Sequence, residues 1–170
     1  DLAVTYRYLM RCKGLHHSIQ KFTKASAKAW PAPKVRPCAE ALAALPAAPG
    51  EAFSIDPPGT RDIDDAISIT RGPMAGHVTV RVYIADPAFW LEHMNLWDHV
   101  SQRASSLYLP NGVIPMLPAG ALGTSLCSLN AGQPTACIYL EACIGPDGTT
   151  SGGPRLGYGR VTIRHNYEYE

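Results

Sequence analysis

The chain has 170 residues, 46% of them hydrophobic, with 15 Lys plus Arg against 14 Asp plus Glu and a formal net charge of +1. That is one domain's worth of chain, long enough to bury roughly two-thirds of its unfolded surface without disulfide staples or a structural metal, and its composition excludes disordered and collagen-like classes. No run approaches the roughly 18 consecutive apolar residues of a membrane helix, and the five cysteines form no Cys-x-x-Cys pair, so the expectation is a soluble intracellular protein with reduced thiols, in cytoplasm, nucleus or an organelle such as the mitochondrion.

Charge is distributed unevenly along the chain. Residues 1–37 hold eight basic side chains and one acid, a net of +7, whereas residues 38–170 hold seven basic and thirteen acidic, a net of −6. A basic arm on an acidic body suits contact with a polyanion, a solvated helix or an organelle transit segment. Residues 1–29 contain no proline and only Gly14, which predicts a helix or helix pair. Pro31, Pro33, Pro37, Pro46, Pro49 and Gly50 then punctuate a linker around a short helical piece at 38–45. The chain therefore divides into a basic helical arm with a Pro-rich linker over 1–50 and a body over 51–170.

In the body, strands are predicted at 52–55, 66–70 and 77–85, the last because Val78, Val80, Val82 and Ile84 alternate with more polar residues. Leu96, Val100, Ala104 and Leu107 recur at intervals of three and four and predict a helix over 95–109, stopped by Pro110-Asn-Gly112. After a Pro/Gly loop over 110–123, strands at 135–144 and 156–163 flank the turn Gly145-Pro-Asp-Gly148. The expected class is α+β, with meandering antiparallel strands and one clear helix.

Asp56, Asp62, Asp64 and Asp65 fall within ten residues, with Arg61 as the local counter-charge. Carboxylates this close raise one another's pKa and repel unless a cation is held among them. Pro57-Pro-Gly59 lets the chain bend Asp56 back toward the others, and an extended segment would place Asp62 and Asp64 on one face with Asp65 pointing away. Oxygen ligands without His or Cys favour magnesium or manganese over zinc. Three readings are open: a solvated Asp-rich turn; a calcium loop, although the Gly at six and Glu at twelve of an EF-hand are missing; and a catalytic magnesium site acting on phosphate esters. His16, His17, His93, His99 and His165 lack the spacing of a shared site. Asp86 before Pro87 reads as a turn starter, Trp90 and Trp97 as core or partner contacts, and Trp30 as a linker residue.

The segment Ser54-Ile-Asp-Pro-Pro-Gly-Thr-Arg-Asp-Ile-Asp-Asp-Ala66 resembles the signature of the ribonuclease II (RNB) family, and is most like the eukaryotic members related to the exosome's exonuclease subunit. In the family's order, Val80-Arg-Val-Tyr-Ile-Ala-Asp-Pro87 resembles the following strand and Ser106-Leu-Tyr-Leu-Pro110 the base-stacking segment. Ile114-Pro-Met-Leu-Pro118 resembles the proline loop and Leu126-Cys-Ser-Leu-Asn130 the element after it. The likeness weakens over 135–163 and stops where the family has a Ser-x-x-x-Leu-x-Tyr type segment and this chain has Arg164-His-Asn-Tyr-Glu-Tyr169.

The resemblance implies the first part of an RNB catalytic domain, which hydrolyses single-stranded RNA from the 3′ end to nucleoside 5′-monophosphates with magnesium, manganese being a possible substitute. By that likeness Asp64 is the catalytic position, Asp56, Asp62 and Asp65 hold metal directly or through water, and Tyr108 stacks on the terminal base. Without the likeness, Tyr108 would be read as a helix-end aromatic capping the core. The family's domain continues into a segment whose arginine contacts the scissile phosphate. The implied partners are therefore single-stranded RNA and either the remainder of such a domain or another protein chain. The isolated chain is expected to be inactive and to expose strand edges and apolar surface. The competing reading is a non-catalytic structural or RNA-binding component of a large ribonucleoprotein, although a purely structural descendant has no physical need of four repelling acids.

Overall fold

The computed structural model describes residues 4, 5, 8, 11, 12, 32–100, 106–109, 112–117 and 126–170. The elements in chain order are α1 (Ala32–Ala44), β1 (Ala52–Asp56), β2 (Asp65–Arg71), β3 (Val78–Ala85), α2 (Pro87–His93), α3 (Trp97–Val100), β4 (Leu107–Leu109), β5 (Gly112–Ile114), β6 (Pro134–Ile144) and β7 (Thr150–Glu168). Strands β1, β2, β3, β6 and β7 close into a barrel in that order, and β4 and β5 form a separate two-stranded sheet. All barrel neighbours are antiparallel except at the seam, where β1 runs parallel to β7 with Ala52 opposite Ile163 and Asp56 opposite Glu168.

The α+β class and the antiparallel strands are as expected; of the helix expected over 95–109, Trp97–Val100 is helical among the described residues, and a longer helix precedes it. Asp86 accepts the N–H groups of Ala88 (3.0 Å) and Phe89 (3.4 Å), and Pro87 opens α2, so the helix begins well before residue 95. Asn95, at φ 54°, breaks the chain between α2 and α3. Residues 107–109 are extended and pair with 112–114, while 101–105 lie outside the described residues. Leu96 and Val100, which carried the helical spacing, are buried nonetheless. Up to residue 31 the arm, with His16, His17 and Trp30, also lies outside the described residues, apart from helical Val4, Thr5, Tyr8, Arg11 and Cys12. Helix α1 lays Cys38 and Leu42 into a core cluster with Phe89, Trp90 and Leu91.

A second cluster fills the barrel near the seam, with Ala52, Ile63, Tyr83, Leu129 and Ile163 among its members. Farther along the barrel the usual sense of alternation is reversed. In β3 the polar-leaning positions Thr79 and Tyr83 are buried, whereas Val78, Val82 and Ile84 are exposed. Register extends this outward face: Val82 lies opposite Leu140 and Leu140 opposite Leu156, while Ile84 lies opposite Ile138 and Ile138 opposite Tyr158. Inside, the Tyr83 hydroxyl shares a hydrogen bond with Ser68 Oγ (2.8 Å) and donates to the Pro49 carbonyl. Arg81 donates from Nε to Glu141 (2.7 Å) and from an Nη to Thr70 Oγ1 (3.1 Å). The polar interior is thus satisfied from within. The expectation of open strand edges is corrected for these five strands, because the parallel seam pairs both ends of the sheet; the expected apolar surface is present.

Strand β7 is threaded through tight quarters. A side chain on Gly157 would run into the Tyr139 ring, and a Cβ on Gly159 would lie 2.5 Å from the Pro46 carbonyl oxygen. The strap carrying Pro46 is stitched to β7 on both sides, Ala48 N–H to the Arg160 carbonyl (2.8 Å) and Arg160 N–H to the Pro46 carbonyl (2.9 Å). None of the five cysteines is in a disulfide, and burial above all pushes the thiols of Cys127 and Cys137 up to about 12. Among the described residues no helix is long and apolar enough to cross a membrane.

Two outcomes are expected. Gly159→Ala forces backbone against backbone and should cost about 1–3 kcal/mol, read as a lower urea midpoint at unchanged slope. Iodoacetamide at about pH 8 should label exposed Cys12 well before the protonated thiols of Cys127 and Cys137, as followed by peptide mass spectrometry.

Candidate metal centre

The acidic segment leaves β1 at Asp56 and turns at once. Thr60 donates both its N–H (3.2 Å) and its hydroxyl (2.7 Å) to the Pro57 carbonyl, and Gly59 takes φ 78°, a left-handed value that suits glycine. The chain is next pinned at Ile63, whose side chain is buried in the barrel core. Its N–H donates to Ser128 Oγ (2.9 Å) and its carbonyl accepts the Leu129 N–H (2.9 Å). One residue on, the Asp64 carbonyl accepts the Ala85 N–H (2.9 Å). With Ile63 turned inward, the flanking acids are driven to the opposite side.

That side is the wall of a cleft of about 480 Å³, where Asp62 and Asp64 meet Ser106, Tyr108, Met116 and Cys127. The volume lies within the usual range of ligand clefts, about 300–1,000 Å³. Tyr108 arrives on β4, and Met116 N–H donates to Ser106 Oγ (2.9 Å) across the mouth of the β4–β5 hairpin. Tyr108 is 81% exposed, which rules out the core-capping reading and leaves its ring free to be covered by a ligand.

Asp56 and Asp65 are not on the cleft wall. Asp65 opens β2, exposed and opposite Ile84. Asp56 ends β1, where its carbonyl accepts the Tyr169 N–H (3.1 Å) and one of its carboxylate oxygens is buried without a hydrogen-bond partner. The four acids nevertheless sense one another. Loss of solvent, and then the charges of Asp62, Asp65 and Asp56, hold the Asp64 carboxyl above its usual range. Among the described residues no three His, Cys, Asp or Glu side chains are set to hold a metal ion, so the expected convergence of all four acids is not preformed. The donor chemistry still fits a hard divalent cation: only carboxylate oxygens are offered, one is buried and unpartnered, and one carboxyl is under pressure from three like charges.

The other candidates have structural uses. Asp86 caps α2, and burial and then the Asp86 charge hold the Tyr158 phenol above its ordinary value. His93 Nδ1 donates to the Phe89 carbonyl (2.7 Å), and the rings of His165 and Tyr167 lie 4.3 Å apart, tilted by 55°. Trp90 is core, while half-exposed Trp97 donates to Glu92 (2.6 Å). His16, His17 and the side chain of His99 lie outside the described residues. Sequence reasoning missed Ser128, Leu129 and Ser106 as supports of the site; the first two stand in the quoted Leu126-Cys-Ser-Leu-Asn130 segment, but no residue pattern announces a bond to Ile63.

The raised Asp64 pKa has a sign that can be checked. The folded chain holds this proton more tightly than the unfolded chain does, so the associated stability is fully present below the ordinary carboxylate value of 3.8 and is lost as pH rises through the raised one. Asp64→Asn should therefore raise the melting temperature at neutral pH without divalent cation, and the gain should shrink toward about pH 4, as read by scanning calorimetry.

Comparison with known proteins gives a consistent set of likenesses. A family model described as the RNB domain matches residues 48–170. Exoribonuclease 2 of Sodalis glossinidius is 36% identical over 121 residues, which cover 71% of this chain and 18% of that protein. DIS3-like exonuclease 2 of Xenopus tropicalis is 46% identical over 79 residues, 46% of this chain and 9% of that protein. Among solved structures, Mycoplasma genitalium RNase R in complex with ribose methylated single-stranded RNA superposes with a TM-score of 0.59 at 27% identity, covering 70% of this chain and 18% of that one. Yeast Ssd1, a pseudonuclease, shares the fold with a TM-score of 0.61 at 16% identity over 76% of this chain and 16% of that one. The chain spans 18% or less of the length of these relatives.

Proposed function

The chain belongs to the RNB family, and from that membership we propose that it is the acid-bearing early part of a hydrolytic 3′-to-5′ exoribonuclease domain acting on single-stranded RNA. The observation that carries the reading is the meeting of Asp62, Asp64 and Tyr108 on one cleft wall. An anionic, sequence-varied polymer needs two things at its cleaved end: a grip on any base and a means of offsetting phosphate charge. Tyr108, exposed at the cleft, supplies the first, because every base has a π-face; such stacking is worth about 1–3 kcal/mol per base. The acids supply the second by holding a divalent cation, magnesium or manganese, with Asp56, Asp62 and Asp65 as its ligands directly or through water. When bound, that ion contributes electrostatic stabilisation of the charge that develops on the phosphate.

Asp64 is assigned the catalytic position. Loss of solvent, and then the charges of Asp62, Asp65 and Asp56, hold its carboxyl above the usual range, so a nearby positive charge is favourable there and the group is suited to orienting the attacking water. The products on this reading are nucleoside 5′-monophosphates.

A non-catalytic role in a ribonucleoprotein is the alternative, and one observation favours it: no three of the acids are gathered as a ready ligand set among the described residues. Hydrolysis of a 5′-labelled single-stranded RNA with magnesium separates the two readings, using the complete native polypeptide or complex. The wild type should shorten the RNA stepwise and Asp64→Asn should not, with a loss in rate of at least about a hundredfold. An intact RNA in both, with partners still bound, would establish the alternative. Tyr108→Ala should weaken RNA binding by about 1–3 kcal/mol, seen as a raised KM in the same assay.

A further inference from the structure

Asp56 and the Asp62/Asp64 pair are carried by different parts of the chain, the first by β1 and the pair by the segment clamped at Ile63. One side chain is bonded to the supports of both. Asn166 Nδ2 donates to Ser54 Oγ (2.9 Å), on β1 two residues before Asp56, and to the Leu129 carbonyl (3.0 Å). Its Oδ1 accepts the N–H of Ala131 (2.8 Å). Leu129 is the residue whose own N–H holds the Ile63 carbonyl. The amide thus uses both donors and its acceptor to tie the strand of one acid to the clamp of the other two.

A slip in the strand register gives Asn166 this place. Between Ala52 and Phe53 the β1–β7 pairing shifts, so that Ala52 faces Ile163 but Phe53 faces His165 and Ser54 faces Asn166. The extra residue reverses the sidedness of β7: after buried Val161 and Ile163, the exposed positions become His165 and Tyr167, and Asn166 sits half-buried beside buried Ser54.

We propose that Asn166 is a positioning residue for the cation site: it ties the strand of Asp56 to the segment of Asp62 and Asp64, so that these acids have less far to move when they gather on a divalent ion. This rests on the cation-binding part of the function proposed above. A side chain that orients ligands from behind typically changes metal affinity by about 10- to 100-fold when removed.

The test is binding of Mn²⁺ to the complete native polypeptide, followed by the electron paramagnetic resonance signal of the free ion, with no RNA present. Asn166→Leu keeps the bulk and removes all three bonds; it should weaken Mn²⁺ binding about 10- to 100-fold with the far-ultraviolet circular dichroism unchanged. Should that variant fail to fold, Ser54 decides: Ser54→Ala, which cuts only the link to β1, should weaken Mn²⁺ in the same direction, and Ser54→Thr, which keeps the hydroxyl, should restore it. Unchanged Mn²⁺ affinity in both Asn166→Leu and Ser54→Ala overturns the inference while leaving the exonuclease reading intact. A wild type that binds no Mn²⁺ overturns the cation site and this inference together. A wild type that binds Mn²⁺ in an Asn166-dependent way but leaves RNA intact upholds the inference and defeats the nuclease.

Discussion

Both peptide groups of Ile63 are taken, its N–H by the Ser128 hydroxyl and its carbonyl by the Leu129 N–H, while its side chain is sunk in the barrel. From this anchorage the direction of Asp62 and Asp64 follows without further help, because neighbours in an extended segment point away from a buried residue between them. Magnitudes favour the anchor over the repulsion it must resist. Burying an isoleucine contributes about 1.5–3 kcal/mol and each hydrogen bond about 1 kcal/mol, whereas two unit charges close together in water repel by about 1 kcal/mol. Asp62 and Asp64 are exposed, so much of their repulsion is of this screened kind, and the fold can carry the pair on one side of the chain.

The barrel supplies the rigid frame for that arrangement. Its parallel seam brings β1 and β7 side by side, and with them Asp56 and the loop that follows it. Its interior is part hydrocarbon and part hydrogen-bonded network, with Tyr83, Ser68, Arg81, Glu141 and Thr70 satisfying one another. An ion pair between Arg81 and Glu141, mostly shielded from water, contributes less to net stability than to the choice of register, since removing one partner would strand the other. The apolar side chains that would ordinarily fill such an interior stand outside it on β3, β6 and β7.

Much of this was legible beforehand. The strands were visible because Val, Ile and Thr recur between strong turn signals, and the acid cluster was visible because four aspartates in ten residues have few structural uses. The helix expected over 95–109 was met only in part because Leu96, Val100 and Leu107 are spaced as on a helix but occupy a junction, a short turn of helix and a strand. Asn95 and Asp86, the residues that set those boundaries, act through backbone conformation and capping rather than through periodicity. Barrel closure was not legible, since a parallel pairing of first and last strands leaves no local mark. Asn166 was invisible for the same reason: its meaning depends on a register slip against a strand 112 residues earlier in the sequence.

That separation also has a meaning in time. Contacts between distant parts of a chain form late, because loop closure costs entropy before the contact repays it. With synthesis proceeding at about 5–20 residues per second, a span of 112 residues leaves roughly 6 to 22 s between the emergence of Ser54 and that of Asn166. Throughout that interval the nascent polypeptide carries its acidic segment before β7 has closed the barrel against β1.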